Sequence, residues 1–404
     1  MPTSVRPARP VDVVVVGGGI VGLAVAWRAA SAGMSVTVLD PAPGDGATRA
    51  AAGMLAAVAE ADFGEQELTR LNLASAARWP AFAADVAAAT GHDVPLLRAG
   101  SLAVAYDADD LALLRRVLAL HRGWGLASAE LPVADARRRE PYLGPRLAGA
   151  AQLEGDLAVD PRATHAALAS ALGGALVRRA AVRLERDRGR VVAVHDDAGT
   201  RHAAGAVVLA TGSGDPSALL ADVPGVRVPV RPVKGITLRL DAGPTLALGH
   251  VVRGTVQGRP VYVVPRGPGT GAGPGSGPGH REIVVGATSE ERPDDRRAEA
   301  GGVFALLRDA RALVPGLDEA ALVEVTPRTR PATPDNLPLV GATAAPGLLA
   351  AVGHGRNGVL LAPLTADAVL AELTGGPPPD DGLPAADPRR FTRAADLVPE
   401  GAHP

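Results

Sequence analysis

The chain has 404 residues and a formal net charge of -2 at pH 7, and it contains no cysteine. The near-neutral charge excludes the basic surface by which nucleic-acid-binding proteins contact phosphates, and the length exceeds what one ordinary core needs. The lack of cysteine excludes disulfides, cysteine-held iron–sulfur clusters and any cofactor tethered through a thioether. We therefore expect two domains and no nucleic-acid partner.

The chain opens with a strand, a glycine turn and a helix, in the stretch VDVVVVGGGIVGLAVAWRAASAGMSVTVLD at residues 11–40. The continuous apolar run Val13–Val16 predicts a buried parallel strand. A helix is predicted over Ile20–Ala32 and a second strand over Val36–Leu39. Together these elements predict one βαβ unit.

The turn in this unit carries the pattern G-x-G-x-x-G at Gly17, Gly19 and Gly22. The first glycine permits the tight turn, the second lets a pyrophosphate approach the backbone, and the third lets helix and strand pack closely. The pyrophosphate would lie at the amino end of the helix, which favours negative charge. Asp40 follows the second strand, where a carboxylate accepts hydrogen bonds from ribose. The pattern predicts a dinucleotide site.

The first ten residues, MPTSVRPARP, lack the apolar stretch of a signal peptide. The longest uncharged stretch near them, Val13–Trp27, is too short for a membrane span and is interrupted by glycines. We expect a cytoplasmic protein with no membrane partner.

The second strand runs into a segment of small residues, GDGATRAAAGMLAA at residues 44–57. An NAD-binding domain usually continues with alternating strands and helices instead. Small residues allow a flat ring and a pyrophosphate to lie against the backbone, which favours FAD. An alanine-rich helix start is the alternative, and this segment by itself does not decide between the two.

Later parts of the chain show two kinds of pattern. A buried strand in AVVLATGSGD (206–215) and a strand, turn and helix in AVGHGRNGVLLAPLTADAVLAEL (351–373) suggest a nucleotide domain assembled from separated segments. Between them lie strand patterns typical of an antiparallel domain: GSLAVAY (100–106), KGITLRL (234–240), RPVYVVPR (259–266) and REIVVGAT (281–288), the last two as a hairpin. The Gly/Pro-rich loop 267–280 of that hairpin is predicted to be flexible, and the tail from residue 376 to be poorly ordered.

Several motifs follow the order found in the D-amino-acid oxidase superfamily of flavoproteins: GGGIVG, ATRAAAGML, VVLATG, PVRPVKG, YVVPR followed by IVVGAT, RPATPDNLPLVG and GHGRNGVLLAP. The chain resembles this family over residues 11–373 and looks most like its glycine oxidase branch, of the thiamine-pathway type. The resemblance implies noncovalent FAD. It also implies an α/β fold in which a Rossmann-like FAD-binding domain is interleaved with an antiparallel-sheet α+β substrate domain.

The domain boundaries follow from the segments and the resemblance together. We expect the FAD-binding domain to comprise residues 11–85, 150–220 and 328–375, and the substrate domain to comprise residues 86–149 and 221–327. The loop 267–280 and the C-terminal tail 376–404 stand outside this division.

Carried over position by position, the resemblance implies FAD contacts in the glycine turn, after the second strand, in the small-residue segment and at the last junction. These residues are Gly17, Gly19, Ile20, Val21, Gly22, Asp40, Pro41, Ala47, Thr48, Ala52, Gly53, Met54, Val182, His354, Gly355, Arg356, Asn357, Gly358, Val359 and Leu360. Val182 would contact adenine through its backbone. A helix beginning before Val359 would direct about half a positive charge at the flavin and favour the anionic reduced ring.

For the substrate, the resemblance matches Arg330 to the family's carboxylate-binding arginine, Tyr262 to a tyrosine whose hydroxyl assists it, and Arg356 to a further arginine beside the substrate. A planar guanidinium holds a carboxylate through two parallel hydrogen bonds. Each has an alternative: a surface ion pair for Arg330 and a core aromatic for Tyr262. His354 could be a loop histidine bonded to backbone. Lys234 is interpreted as structural, with oxygen activation as the alternative.

Two features of the chain depart from the glycine oxidase pattern. That branch typically carries Trp-x-Gly-Leu-Arg-Pro where this chain has T-P-R-T-R-P at residues 326–331, and Pro260 replaces a polar residue two positions before Tyr262. Both lie near the expected substrate pocket, so they leave the preferred amine open.

The resemblance implies oxidative deamination of glycine, and of small amines such as sarcosine or D-alanine, to glyoxylate, ammonia and hydrogen peroxide, feeding thiazole synthesis in thiamine biosynthesis. O2 is the second substrate, and hydride transfer from Cα to the flavin requires no side-chain acid or base. Alternatives stay open: a D-amino acid or sarcosine oxidase or dehydrogenase, or a flavin-binding protein without turnover. The histidines show no metal-ligand spacing, and a homo-oligomer is compatible with the sequence.

Overall fold

The computed structural model describes residues 10–266, 281–293 and 295–392. The strands of this part of the chain are β1 (Val11–Val16), β2 (Val36–Leu39), β3 (Met54–Leu55), β4 (Leu96–Leu97), β5 (Ser101–Ala105), β6 (Ser128–Leu131), β7 (Gly149–Leu153), β8 (Leu157–Val159), β9 (Leu176–Val177), β10 (Ala181–Asp187), β11 (Arg190–Asp196), β12 (Arg201–Leu209), β13 (Arg231–Asp241), β14 (Val251–Val256), β15 (Arg259–Pro265), β16 (Glu282–Gly286), β17 (Ala321–Ala332), β18 (Leu339–Ala342) and β19 (Leu348–Val352). The α-helices are α1 (Ile20–Ser31), α2 (Ala47–Ala50), α3 (Gln66–Thr90), α4 (Ala108–Gly123), α5 (Val133–Arg139), α6 (Pro161–Leu172), α7 (Ala300–Leu313) and α8 (Gly358–Thr374).

A mainly parallel sheet contains the glycine turn. Strand β1 lies between β2 and β12 and pairs with both in parallel. Strand β9 pairs in parallel with β2, and β19 pairs in parallel with β12. Residues 13–16 are buried, as expected of a strand covered on both faces. Helix α1 packs against α6 and α8, and α3 packs against α8. The prediction that distant segments assemble one nucleotide-binding sheet is confirmed.

The second sheet has the strand order β17-β13-β16-β15-β14-β5-β7-β6. Its neighbours pair antiparallel except for β14 and β5, which are parallel. The predicted hairpin is confirmed by the antiparallel pairing of β15 with β16. The loop 267–280 that joins them lies outside the described residues. One face of this sheet carries Tyr262 and Arg330, the two residues predicted to bind the substrate carboxylate.

The division into domains stays a prediction. Strands β7 and β17 both belong to the second sheet, and each crosses a boundary predicted from the sequence, at residues 150 and 328. Sheet membership alone does not define a domain.

The tail predicted to be poorly ordered is folded up to residue 392. Ala386 is fully buried, and the Arg390 guanidinium donates to the Asp335 carboxylate and to the carbonyl oxygens of Leu337 and Pro338. The prediction is therefore wrong for residues 376–392, because contacts with the turn after β17 hold a segment whose composition alone suggested disorder. Residues 393–404 lie outside the described part. Within that part, no helix is both long and apolar enough to cross a bilayer.

Candidate flavin and substrate site

The turn between β1 and α1 leaves no room for a side chain at Gly17 or at Gly22. Gly17 has a φ of 113°, and a Cβ placed there would overlap the carbonyl oxygen of Ala210. A Cβ on Gly22 would overlap the carbonyl oxygen of Gly17. The close packing of the turn therefore requires glycine at these two positions, and Gly19 between them carries no side chain that would keep a pyrophosphate from the backbone.

The amino end of α1 is available to an anion. Gly19 occupies the N-cap without a side chain, and the first turn carries no acidic residue. The backbone N–H of Ile20 donates to the Thr48 hydroxyl over 3.0 Å, which brings the small-residue segment to the turn. Val21 is half-buried on the same helix. The Ile20 N–H is occupied by its bond to Thr48, while the helix dipole at an amino end without an acidic residue favours a phosphate group.

Asp40 lies where the pattern places the ribose-binding acid. Its carboxylate accepts hydrogen bonds from the backbone N–H groups of Gly18 at 2.6 Å and Ala42 at 2.8 Å. These bonds fix the carboxylate beside the turn, while its remaining lone pairs can accept from ribose hydroxyls. Pro41 follows and is exposed. Val182 lies near the start of β10 with 49% of its surface exposed, and its adenine contact stays a prediction.

The small-residue segment is helical only over α2, which begins with Ala47 and Thr48, and is extended afterwards. Gly53 has a φ of 76°, and a Cβ there would overlap the carbonyl oxygen of Val159. The carbonyl oxygen of Ala52 accepts a hydrogen bond from Nη2 of Arg266, the residue that follows β15. The segment is therefore held by contacts with β8 and with Arg266, and the alternative of an alanine-rich helix start is met only by the four residues of α2.

The last junction places a glycine turn before α8. Gly355 has a φ of 55°, and α8 begins at Gly358 with buried Asn357 at the N-cap, no side-chain cap and no acidic residue in its first turn. Val359 and Leu360 are buried. The amino end of α8 therefore offers unneutralised positive charge, as the flavin interpretation requires.

His354 points into the fold. It is buried, and its Nε2 lies 2.9 Å from the Thr365 hydroxyl of α8, not against backbone. Burial lowers the pKa of His354 to about 4, so the ring is neutral at neutral pH. Its side chain supports the turn, while a flavin contact through this residue stays a prediction.

Three residues of the second sheet stand opposite one another in register: Arg253 on β14, Tyr262 on β15 and Gly286 on β16. Directly opposed residues of neighbouring strands point to the same face. A Cβ on Gly286 would overlap the Tyr262 hydroxyl, so the glycine makes room for the phenol. Burial raises the pKa of Tyr262, so its hydroxyl keeps the proton and can donate.

Arg330 lies on β17 with its guanidinium over Gly235. A Cβ on Gly235 would lie 2.5 Å from Nη1 of Arg330, and Nη1 donates to the carbonyl oxygen of Thr288 over 3.2 Å. The positive charge of Arg330 counteracts the effect of burial on the Tyr262 pKa, so the two groups are near each other. No carboxylate of the described residues pairs with Arg330. A half-buried, unpaired guanidinium beside a phenol hydroxyl fits a substrate carboxylate.

Arg356 is differently engaged. Its Nε donates to Glu60 and its Nη2 to Glu65, each over 2.5 Å. Arg253 Nη1 donates to the other oxygen of Glu60 over 2.5 Å and lies 3.9 Å from the sulfur of Met54. Sequence reasoning missed Glu60 and Arg253. The register of β14 with β15, which places Arg253 opposite Tyr262, is not visible in the sequence, although Glu60 follows the small-residue segment closely.

Lys234 lies on the other face of β13 from its neighbour Gly235, because successive residues of a strand alternate. It is fully buried, and its ammonium pairs with Asp295 and Glu299. This arrangement supports the structural interpretation over oxygen activation. No group of three metal-ligating side chains is found among residues 10–266, 281–293 and 295–392.

The glycine turn, the acid after β2 and the uncapped α1 define a dinucleotide-binding fold. The chain belongs to the family described as FAD dependent oxidoreductase, whose model matches residues 12–373. The predictions of this family, of the fold class and of FAD as the cofactor are confirmed.

Two curated relatives and one solved structure illustrate the similarity. The chain is 35% identical to the glycine oxidase of Geobacillus kaustophilus over 359 residues, which are 88% of this chain and 90% of that protein. It is 31% identical over 363 residues to a Rhizobium etli protein named "Putative thiamine biosynthesis oxidoreductase ThiO", covering 89% and 96% of the two chains. The crystal structure of the Geobacillus kaustophilus glycine oxidase matches with a TM-score of 0.84 at 33% identity, covering 96% of this chain and 100% of that chain.

Proposed function

We propose that this protein oxidatively deaminates glycine to glyoxylate, ammonia and hydrogen peroxide, that it also accepts small amines such as sarcosine or D-alanine, and that the reaction feeds thiazole synthesis in thiamine biosynthesis. The relatives named glycine oxidase and ThiO support the proposal. The observation that carries it is the Arg330 guanidinium, which lies over Gly235 and beside the Tyr262 hydroxyl and pairs with no carboxylate of the described residues. This pair of groups suits the carboxylate of a small amino acid.

In this proposal Arg330 holds the carboxylate through two parallel hydrogen bonds, and the protonated Tyr262 hydroxyl donates a further one. The substrate is thereby fixed at its acid end, which leaves its Cα to be presented to the cofactor. Orientation of this kind is a large part of what an enzyme contributes to a hydride transfer.

FAD would be held by the glycine turn, Asp40, residues 47–54 and residues 354–360, with Val182 at adenine. When bound, it supplies the acceptor for the hydride and passes the electrons to O2, giving hydrogen peroxide. The uncapped amino end of α8 stabilises negative charge that develops near it.

Among the described residues of the site, neither Tyr262 nor Glu60 is poised to remove a proton from the substrate amine. Tyr262 keeps its own proton because burial raises its pKa. Burial also raises the pKa of Glu60, but the positive charges of Arg253 and Arg356 outweigh this effect, so the net shift of the Glu60 pKa is downward. We therefore propose that the amine reacts in its neutral form. The rate at limiting substrate should rise with pH as the substrate ammonium loses its proton.

Product analysis tests the function. Purified protein with glycine and O2 should give equal amounts of glyoxylate, ammonia and hydrogen peroxide. A peroxide yield well below the glyoxylate yield would identify a dehydrogenase that needs another electron acceptor. No product from glycine, sarcosine or D-alanine would overturn the proposal.

A further inference from the structure

The site brings three guanidinium groups together, and only Arg330 has no carboxylate partner among the described residues. Arg253 and Arg356 both donate to Glu60, one to each carboxylate oxygen. Arg330, Arg253 and Glu60 all act electrostatically on the Tyr262 phenol, which places the three charges around one point. Glu60 thus lies between the two paired arginines and close to the proposed carboxylate site.

The Glu60 side chain is 13% exposed and holds its charge. Burial raises its pKa, and the positive charges of Arg253 and Arg356 lower it by more than burial raises it. A carboxylate shared by two guanidinium groups satisfies donors that would otherwise bind an anion. Glu60 therefore occupies two guanidinium groups that could otherwise bind a carboxylate of the substrate.

We propose that Glu60 is a specificity-determining residue that restricts the site to amino acids with one carboxylate. Glu60 does this by occupying Arg253, which would otherwise bind a second carboxylate. Arg253 is close enough to do so because it faces Tyr262 across the β14–β15 ladder, at a spacing of about 5 Å between Cβ atoms. A substrate carboxylate at Arg330 and Tyr262 would place a second carboxylate, two bonds beyond the amine, within reach of Arg253. This inference rests on the proposed function and names the substrate class of the same site.

The test compares two amines that differ by one carboxylate. Glycine carries one, and iminodiacetate, which is N-carboxymethylglycine, carries two around the same amine. Glu60→Gln removes the charge and keeps the shape. The ratio of kcat/KM for iminodiacetate to kcat/KM for glycine should rise about tenfold or more in this variant, because a freed, partly buried guanidinium makes a charge-assisted pair.

Binding gives a second measurement that needs no turnover. Oxydiacetate and glycolate are the unreactive oxygen counterparts of the two substrates, and their Kd values follow from the visible absorbance of the bound flavin or from calorimetry. Glu60→Gln should tighten oxydiacetate about tenfold relative to glycolate. An unchanged ratio in both measurements, in protein that binds FAD normally, overturns the proposal.

Matched variants separate this role from general disturbance. The Glu185 carboxylate likewise has two side-chain partners, Arg201 and His195, but lies on β10 of the first sheet, so Glu185→Gln should leave both ratios unchanged. Adding Arg253→Met to Glu60→Gln should return the ratios to the wild-type values, and persistence of the gain would overturn the role of Arg253.

The proposal stays testable if Glu60→Gln does not fold. In the wild type Arg253 is already occupied, so Arg253→Lys, which keeps a positive charge beside Glu60, should not weaken oxydiacetate relative to glycolate. A selective loss of oxydiacetate binding in that variant would show that Arg253 is free and would overturn the proposal. Failure of the proposed function has a different signature, since no variant and no wild-type protein would then oxidise glycine while the binding ratios remain measurable.

Discussion

Arg330→Ala removes the guanidinium that is free of carboxylate partners in the described structure. Its fork can form two charge-assisted hydrogen bonds with a substrate carboxylate in a half-buried site. Removing one partner of such a pair costs about 2–5 kcal/mol, which corresponds to roughly a 30- to 4,000-fold rise in the KM for glycine. FAD should stay bound, because Arg330 lies on β17 and its hydrogen bond goes to Thr288, remote in sequence from the glycine turn.

The assay is steady-state peroxide formation at varied glycine, with the flavin content of each variant measured from its visible absorbance. Arg330→Lys keeps the charge and loses the fork, so its KM should lie between those of the wild type and Arg330→Ala. The control is Arg311→Ala, which breaks an exposed ion pair between Arg311 on α7 and Asp318, a residue after that helix. This variant should leave the KM unchanged. An unchanged KM in flavin-loaded Arg330→Ala would refute the carboxylate role.

Three further predictions follow from the packing and the pKa shifts. Gly235→Ala places a Cβ 2.5 Å from Nη1 of Arg330, so it should displace the guanidinium and raise the KM for glycine about tenfold or more while flavin stays bound. The control is Gly301→Ala on α7, where a Cβ meets nothing within 4 Å. Gly22→Ala would drive a Cβ into the carbonyl oxygen of Gly17, so the purified variant should lack the flavin absorbance and take up added FAD at least about tenfold more weakly. Burial raises the pKa of Asp156 from 3.8 to about 6, so the folded protein binds this proton more tightly than the unfolded chain does, and ionisation destabilises the fold as pH rises through that window. Asp156→Asn should therefore raise Tm at about pH 8, by an amount equivalent to at most about 3 kcal/mol, and give no such gain near pH 4; an equal effect at both pH values would contradict the shift.

The parts of the fold that depend on residues close together in the sequence were predictable. The glycine spacing, the apolar run Val13–Val16 and the acid at Asp40 act within one βαβ unit, and each is found where the pattern placed it. The order of the motifs then indicated the family, since AAAGML and GHGRNGVLLAP are far more specific than three glycines.

The parts of the site that depend on strand register were not predictable. Arg253 stands opposite Tyr262 only because β14 and β15 pair as they do, and nothing in the spacing of the two residues states the register. Arg356 was placed beside the substrate by resemblance, and the structure adds that Glu60 and Glu65 hold it. A composition-based reading of the tail failed for the same reason, because the contact of Arg390 with Asp335 joins residues 55 positions apart.

The central claim is that glycine delivers a hydride to flavin bound at this site, and anaerobic mixing of purified protein with glycine tests it most directly. The visible absorbance of the oxidised flavin should be lost on mixing and should return when O2 is admitted. A fully flavin-loaded protein that keeps its colour with glycine, sarcosine and D-alanine alike would contradict it.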